Sequence, residues 1–232
     1  MTGLLLVGAG GFGGDVAGMI EQSNGVDPKW ELLGFLDDDP ALHGTQVNGL
    51  RVLGGLEAAQ EHPGALLGCC VADAAMREGL VERGLSLGCR WATVVHHSAL
   101  ILTGAVIGEG SIICPYSVVK SGAVLGRHTH INSHCSIGHQ AVLGDFTTLS
   151  PHVAIAGSAH LGAGVFAGLS CSVLPRIQVG ARAVIGAGAV VNRDVAPETV
   201  VAGVPARPIQ GRRAALIAEA ARRNDAEASE AG

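Results

Sequence analysis

The sequence predicts two domains of different classes in series: an α/β domain, then an all-β parallel β-helix that ends in a short helix. Three observations predict this order. Short apolar runs alternate with helix-like stretches as far as about residue 91, and an aliphatic residue then recurs every six residues. The composition combines 35 glycines with only two Trp, one Tyr and four Phe, as expected for a narrow aliphatic core. We therefore place the domains at residues 1–91 and 92–209 and a helical tail at 210–232.

The amino-terminal residues have the pattern of a small parallel sheet between helices, which is a Rossmann-like domain. Short strands that alternate with helices imply parallel pairing, because each helix carries the chain back across the sheet. The expected strands cover residues 4–7, 32–36 and 66–72, and the expected helices begin near Asp15 and cover about residues 56–61 and 74–84.

A glycine-rich turn joins the first expected strand to the first helix. Glycine lets the backbone approach a ligand closely, and a helix N-terminus offers unpaired N–H groups and a partial positive charge to a phosphate. Carboxylates after the second strand are placed to accept hydrogen bonds from a ribose or a base. A tight turn and a solvated acidic loop without a ligand are the alternative. The predicted nucleotide site consists of Gly8, Gly10, Gly11, Phe12 and Gly13 near phosphate, and Asp37 and Asp38 near ribose or base.

A six-residue repeat without insertions covers residues 95–191. Flat strands with one corner in each repeat wind into a three-sided prism of eighteen residues per coil, with coils about 4.8 Å apart. The aliphatic positions, which should point inward, are Val95, Ile101, Ile107, Ile113, Val119, Leu125, Ile131, Ile137, Leu143, Leu149, Ile155, Leu161, Ala167, Val173, Val179, Ile185 and Val191.

Two other slots of the repeat have characteristic residues. The residue after the aliphatic is often Gly, with Asn132 and Asn192 in the same slot, and we expect it to form a corner in the left-handed conformation. The fourth residue after the aliphatic is small, as in Ser111 and Cys135. Each coil buries its faces only against its neighbours, so the ends need caps. We expect the α/β domain at one end and the tail after Pro208 at the other.

Together these segments resemble one protein family. The glycine turn, the acidic segment 34–40, the repeat and the segment 201–206 resemble the hexapeptide-repeat acyltransferases that acetylate nucleotide-linked amino sugars and sialic acids, the PglD/NeuD-like type. The resemblance extends to about residue 209. It implies a left-handed β-helix, acetyl-CoA as co-substrate, and a homotrimer with active sites between subunits. It also implies that acetyl-CoA lies along the prism wall near Leu169, Gly186, Ala187 and Gly188.

The same resemblance assigns a catalytic histidine. In segment 131–146 an asparagine precedes His139 by seven residues and Gly-Asp-Phe follows it by five, as in the family. This alignment makes His139 the general base and places Asn132 near the acceptor or the partner chain. Acyl transfer from a thioester needs such a base and an N–H donor for the oxyanion. Gly157 lies one coil beyond His139, where its backbone can serve as that donor and contact the co-substrate.

Four positions depart from the family pattern. Phe12 stands where relatives often have histidine, Gly14 where a basic residue is common, Gln140 where an acid commonly follows the catalytic histidine, and Thr148 where histidine is frequent. The base then lacks its usual orienting carboxylate unless Asp145 or an acid from another chain supplies one. These departures leave the identities of the sugar and the nucleotide open.

Composition and charge argue against several classes of function. A net charge of −5 does not provide the basic surface that nucleic-acid binding needs. No apolar run approaches the roughly 18–20 residues of a membrane span, and no basic residue precedes the apolar start, so we expect a cytoplasmic protein without a signal peptide. Most of the prism histidines are expected to face solvent, with His134 and His152 stacked one coil apart, and no metal site is expected.

The leading hypothesis is an acetyl-CoA-dependent acetyltransferase that acts on the amine of a nucleotide-linked amino sugar in bacterial glycan biosynthesis, by direct attack with His139 as base. An O-acetyltransferase of sialic acid or of a polysaccharide precursor is the alternative enzyme, because amine and hydroxyl acceptors need the same base. A non-catalytic nucleotide-sugar-binding protein is a further alternative, since a fold does not determine a chemistry. The tail from residue 211 is expected to form an amphipathic helix that packs against a neighbouring prism.

Overall fold

The computed structural model describes residues 1–223, and its fold is the one predicted: an α/β domain, a parallel β-helix and a C-terminal helix. The sheet of the first domain has the order β3-β4-β2-β1-β5-β6 and is parallel except for the β3–β4 hairpin. Its elements are β1 (Thr2–Val7), α1 (Gly11–Asn24), β2 (Trp30–Leu36), a 3₁₀ turn (Pro40–Leu42), β3 (Gln46–Val47), β4 (Leu50–Gly54), a 3₁₀ helix (Leu56–Glu61), β5 (Leu66–Cys69), α2 (Ala74–Ser86) and β6 (Arg90–Trp91).

The β3–β4 hairpin is a part of this sheet that the apolar pattern did not predict. Asn48 and Gly49 form its two-residue turn, with φ values of 49° and 79°. Positive φ at both central residues gives a turn whose twist matches that of the strands it joins, and Asn-Gly is the favoured sequence. This dipeptide was therefore the signal that could have identified the hairpin, because the strands themselves are too short to show a period.

Both faces of the central strands are covered, which explains their uninterrupted apolar sequence. Leu4 and Leu6 pack against α1, while Leu5 and Val7 pack on the opposite face in the cluster that includes residues of α2. Parallel strands between two helix layers have no solvent face and therefore no polar alternation. The carboxyl ends of β1, β2 and β5 meet at one edge of the sheet, and the glycine turn lies there.

From β7 onward the chain winds through three sheets, in which each strand pairs in parallel with the strand one coil later, as Ile113 does with Ile131. We name the sheets faces 1, 2 and 3, and the turns between them corners 1–2, 2–3 and 3–1.

Face 1 contains β7 (Val94–Val95), β10 (Ile112–Ile113), β13 (His130–Ile131), β16 (Thr148–Leu149), β19 (Phe166–Ala167), β22 (Val184–Ile185), β24 (Val200–Ala202) and the antiparallel β25 (Arg207–Pro208). Face 2 contains β8 (Leu100–Ile101), β11 (Val118–Val119), β14 (Ser136–Ile137), β17 (Ala154–Ile155), β20 (Ser172–Val173) and β23 (Val190–Val191). Face 3 contains β9 (Val106–Ile107), β12 (Val124–Leu125), β15 (Val142–Leu143), β18 (His160–Leu161) and β21 (Gln178–Val179).

The predicted inward positions are confirmed from the second coil onward. Every aliphatic of the repeat from Ile113 to Val191 is at most 3% exposed. In the first coil Val95 is 37% exposed and Ile101 and Ile107 are partly buried, because β7, β8 and β9 are edge strands of their sheets. The small residues of the fourth slot are also buried, so large and small side chains do share the interior.

The conformation expected for the glycine slot was wrong. The left-handed residue of each corner comes three positions after the aliphatic, where His134, Gln140 and Ser158 have φ values of 60°, 56° and 58°. The glycine one position after the aliphatic instead allows the backbones of neighbouring coils to pack closely. A Cβ atom on Gly162 would lie 2.6 Å from the backbone nitrogen of Ala181 in the next coil. Only glycine allows the two backbones to approach so closely.

The α/β domain packs against the side of the prism, not across its end as expected. The outward residues of face 1 are buried against it: Val94, Ile112 and His130 are 2%, 0% and 1% exposed. Val94 and Ile112 belong to the same apolar cluster as Leu4 and Val16 of the α/β domain. The α/β domain therefore packs on outward residues of face 1, and not on the open end of the prism.

A fully buried arginine on α2 joins the two parts. Arg77 is 0% exposed, and hydrogen bonds use all five N–H groups of its guanidinium. The acceptors, at 2.6–3.1 Å, are the carbonyl oxygens of Val71, Ala72, His128 and Phe146 and the hydroxyl of Thr148.

Helix α3 (Gly211–Arg223) follows β25 and packs on its own prism, against β22 and β24. Its packing against a neighbouring prism stays a prediction. Residues 224–232 of the predicted tail lie outside the described residues. In the part of the chain that the structure describes, no helix is both long enough and apolar enough to cross a membrane.

Candidate active site

His139 and Gly157 lie one above the other at corner 2–3. His139 follows β14 and is exposed, and Gly157 has the same place one coil later. A Cβ atom on Gly157 would lie 2.5 Å from Nε2 of His139, so the imidazole rests against the Gly157 backbone. The Ser158 N–H donates a 2.9 Å hydrogen bond to the His139 carbonyl and holds the two coils together. Within residues 1–223, no backbone acceptor takes the Gly157 N–H. The pair combines an exposed imidazole with an available backbone donor.

Asn132 and four of the predicted acetyl-CoA residues lie at corner 1–2, whereas the fifth, Gly157, lies beside His139. Asn132 follows β13, and Leu169 and Ala187 lie on the same corner two and three coils later. Leu169 is 49% exposed, and its carbonyl accepts a 2.8 Å hydrogen bond from the Gly188 N–H. The strands of face 2 separate this corner from His139. A single chain therefore does not bring all of the predicted site residues to one point.

The glycine turn places the N-terminus of α1 between two cavities. Gly10 is the N-cap and provides no side-chain cap, so the first N–H groups of α1 stay available to a ligand. A first cavity of about 460 Å³ is lined by Gly8 and Gly10, and a second of about 280 Å³ is lined by Gly11 and Phe12. A phosphate-bearing ligand can thus lie across this helix N-terminus with one end in each cavity.

Gly13 is buried below the turn and has a packing role. A Cβ atom there would collide with the carbonyl oxygen of Gly8 and lie 3.2 Å from the ring of Phe35. Glycine at this position lets α1 approach β1 closely. Its contribution to the turn is therefore to fix the direction of the helix N-terminus.

The first cavity is also lined by Asp37 and Asp38, which both have protein partners. Asp37 braces the glycine turn, since its Oδ2 accepts a 2.8 Å hydrogen bond from the Ala9 N–H. Asp38 forms two hydrogen bonds of 2.6 and 2.8 Å with Arg83, and these bonds lower the pKa of the Asp38 carboxyl. Arg83, on α2, lines the cavity as well and lies 3.2 Å from Glu57. No local spacing indicates Arg83 in advance, because its partner is 45 residues away in the chain.

The second cavity lies between α1 and face 1. Its polar residues come from both parts of the chain. Asp15 belongs to α1, and the prism contributes His130, Asn132, Thr148 and Ser150. The Ser133 N–H donates a 2.7 Å hydrogen bond to Oδ1 of Asn132, which leaves the amide nitrogen to donate to a ligand. Asn132 therefore belongs with the glycine turn and not with His139 of the same chain.

Most of the prism histidines are exposed, as expected, but two of them are buried. Nε2 of His130 lies 2.9 Å from the carbonyl oxygen of Cys69, and burial holds the pKa of His130 well below its ordinary value. His128 is 4% exposed and stacks on Phe146 with ring centroids 5.3 Å apart. Burial lowers the pKa of His128 to about 4. Both rings are covered because the α/β domain packs on face 1 and corner 3–1.

Asp145 does not orient His139 within the chain. It forms a 3.0 Å ion pair with Arg127 at corner 3–1.

At corner 1–2, His134 and His152 stack as predicted, with ring centroids 4.9 Å apart. Throughout residues 1–223, no three His, Cys, Asp or Glu side chains are grouped so that they could hold a metal ion.

Comparison with known proteins identifies relatives of both domains. Residues 3–83 match the family model of the PglD N-terminal domain. The acetyltransferase domain of PglB from Neisseria gonorrhoeae, in complex with acetyl coenzyme A, has a TM-score of 0.81 at 27% identity over 89% of this chain and 98% of that one. A mutant of perosamine N-acetyltransferase from Caulobacter crescentus, in complex with CoA and GDP-perosamine, has a TM-score of 0.82 at 25% identity over 91% of this chain and 98% of that one.

Two curated relatives match over shorter segments. A protein of Schizosaccharomyces pombe named as an acetyltransferase is 48% identical over 46 residues, and chloramphenicol acetyltransferase of Escherichia coli is 42% identical over 52 residues. These segments are 20% and 22% of this chain, and they span only 22% and 25% of the relatives. All four proteins are named as acetyltransferases.

Proposed function

We propose that this chain, which is PglD-like in sequence over residues 3–83 and in fold over about nine-tenths of its length, is an acyltransferase that moves the acetyl group of acetyl-CoA to the amine of a nucleotide-linked amino sugar. The observation that carries the proposal is the exposed His139 ring that rests on the Gly157 backbone. The solved relatives bound to acetyl coenzyme A and to GDP-perosamine support the two classes of substrate.

The nucleotide sugar would lie across the N-terminus of α1. The first cavity would take the nucleoside, between the glycine turn and the Asp38–Arg83 pair. The pyrophosphate would accept hydrogen bonds from the first N–H groups of α1, where the helix dipole also favours negative charge. The sugar would then enter the second cavity beside Phe12 and Asn132.

The reaction would proceed by direct attack on the thioester. The amine nitrogen forms a bond to the acetyl carbonyl carbon while His139 removes a proton from that nitrogen. The Gly157 N–H donates a hydrogen bond to the oxyanion of the tetrahedral intermediate. The C–S bond then breaks, and the coenzyme A thiolate takes the proton from the imidazolium. Imidazole suits both proton transfers because its charge changes near neutral pH.

A homotrimer would complete the site. The Asn132 corner and the His139 corner flank face 2, so packing of three prisms through face 2 would bring corner 1–2 of one subunit to corner 2–3 of the next. The outward residues of face 2 carry no charge and suit such a contact: Leu100, Val118, Ser136, Ala154, Ser172 and Val190. The groove would hold acetyl-CoA near Leu169, Gly186, Ala187 and Gly188 of one subunit and Gly157 of its neighbour.

The test of this function is the His139→Ala variant. We expect it to keep its fold and assembly and to lose about 10²–10⁴ in kcat, the usual contribution of a general base. The measurement is release of free coenzyme A from acetyl-CoA over a panel of UDP-, GDP-, dTDP- and CMP-linked amino sugars. His62→Ala is the matched control, because His62 lines neither of the two cavities at the glycine turn. An assembled His139→Ala protein with the full rate would refute the assignment.

The same assay separates the alternatives. An O-acetylated product loses its acetyl group in mild alkali, whereas an amide survives, so mass spectrometry before and after treatment distinguishes O- from N-acetylation. Release of no coenzyme A across the whole panel would favour a non-catalytic nucleotide-sugar-binding protein. A role in bacterial glycan biosynthesis and a cytoplasmic location stay predictions.

A further inference from the structure

We propose that Asp15 binds the amino group of the acceptor sugar and thereby makes the site selective for amines over hydroxyls; this inference rests on the function proposed above. It concerns the second cavity, which was defined by Gly11, Phe12, Asp15, Asn132 and the face 1 residues around them.

Asp15 is placed at the far end of the sugar from the phosphate. It lies four residues after Gly11 on α1, so the two residues share one face of the helix, and both line the cavity. Four residues of helix rise about 6 Å. This is similar to the length of a pyranose ring. A sugar whose phosphate is held at the start of α1 would therefore present a substituent opposite its anomeric carbon to Asp15.

The charge of the cavity favours a cationic group. Asp15 is exposed, and no described residue forms an ion pair with it. The described residues that line the cavity include no Lys and no Arg. An ammonium group in this cavity would thus meet a carboxylate that has no competing cation. A charged hydrogen bond of this kind is about twice as strong as a neutral one.

The histidine beside the cavity, His130, adds no positive charge to it. His130 is 1% exposed, and its ring lines the cavity. Nε2 must carry the proton, since it contacts the Cys69 carbonyl oxygen at 2.9 Å. Nδ1 is then an acceptor, and it has no hydrogen-bond partner among the described residues. Burial holds the pKa of His130 well below its ordinary value, so this neutral ring adds no cation that would compete with an ammonium group for Asp15.

The carboxylate would act on both binding and reaction. In the bound state it accepts hydrogen bonds from the ammonium group. The ammonium group then loses one proton to solvent, which leaves a neutral amine. As the new N–C bond forms, positive charge grows on the nitrogen and the same carboxylate offsets it, until His139 of the neighbouring subunit removes the second proton, which passes to the coenzyme A thiolate. A hydroxyl acceptor carries no charge in the bound state and gains less from Asp15.

The experiment compares Asp15→Asn with Glu21→Gln, a matched loss of charge at an exposed residue of the same helix outside the cavity. Calorimetry measures Kd at neutral pH for three probes: the best amino-sugar nucleotide of the panel, the same nucleotide sugar with a hydroxyl in place of the amine, and the free nucleoside diphosphate. Wild type and Glu21→Gln should prefer the amino sugar by about tenfold or more, as expected for a charged over a neutral hydrogen bond. Asp15→Asn should lose this preference and still bind the free nucleoside diphosphate within about twofold of wild type.

Three results would overturn the inference. The first is an Asp15→Asn protein that keeps the preference for the amino sugar. The second is an equal loss of kcat for amine and hydroxyl acceptors with unchanged Kd values, which would make Asp15 a positioning residue for the base. The third is equal binding of both sugars by wild type. If wild type binds no nucleotide sugar of the panel, the proposed function fails as well; if it acetylates amines but Asp15→Asn keeps the preference, only this inference fails.

Discussion

His139 and Gly157 are distant in sequence but adjacent because each coil of the prism advances the chain by eighteen residues. The consequence is that a change at Gly157 acts through the ring above it. The backbone at Gly157 does not have the positive φ that only glycine adopts readily, so an alanine would be tolerated by the backbone itself. The Cβ atom would instead displace the imidazole, since it would lie 2.5 Å from Nε2.

We therefore expect Gly157→Ala to lower kcat about 10²-fold, the usual effect of moving a catalytic group by about 1 Å. The free energy of unfolding should change little. Steady-state kinetics and urea titration measure the two quantities. The control is the double variant with His139→Ala: if ring displacement is the cause, Gly157→Ala should have no further effect in a protein without the ring. An equal loss in both backgrounds would contradict this explanation.

At the scale of the coil, two glycine slots have opposite requirements. The position directly after the aliphatic requires glycine because the backbone of the next coil leaves no room for a Cβ atom, as at Gly162. Residues three positions after the aliphatic adopt the left-handed conformation, and there the chain uses His, Gln, Ser and Arg as well as Gly. Space is limiting in the first slot and conformation in the second.

This contrast predicts the outcome of a matched pair of substitutions. Gly162→Ala should cost about 3 kcal/mol of unfolding free energy, because neither backbone can move away from the new methyl group. Gly122→Asn, at a left-handed corner with φ of 70°, should cost less than about 1 kcal/mol because asparagine tolerates this conformation. Urea titration of both variants measures the difference. Equal costs would show that the two slots are not distinguished by backbone contact.

At the scale of the whole molecule, the position of the α/β domain on face 1 decides what the prism surface can do. The domain buries the outward residues of face 1 from β7 to β16 and leaves faces 2 and 3 free, and it brings the N-terminus of α1 to Asn132. Arg77 connects α2, the loop after β5 and two turns of corner 3–1 in one network. Removal of its guanidinium would leave buried carbonyl oxygens without donors.

We expect Arg77→Met to lower the free energy of unfolding by about 3–5 kcal/mol, the sum of several unsatisfied buried acceptors. The α/β domain should then unfold at lower urea concentration than the prism, so that a single transition becomes two. Far-ultraviolet circular dichroism with Trp30 and Trp91 fluorescence measures this, because both tryptophans lie in the α/β domain. Arg90→Met removes an exposed arginine and should change little. A single transition at the wild-type midpoint would contradict the role assigned to Arg77.

The repeat, the inward residues and the stacking of His139 under Gly157 could be predicted from the sequence, because each of these follows from a local period of six residues. The glycine turn could also be predicted, because the strand, the turn and the helix are contiguous in the sequence. The tertiary structure alone decided the features that depend on contacts between distant segments. These include the burial of His128 and His130, the Arg83–Asp38 pair, and the cavity that joins Asp15 to Asn132. It also decided that the α/β domain covers a side of the prism and not its end, because the choice depends on how two apolar surfaces fit in three dimensions, which no period in the chain encodes.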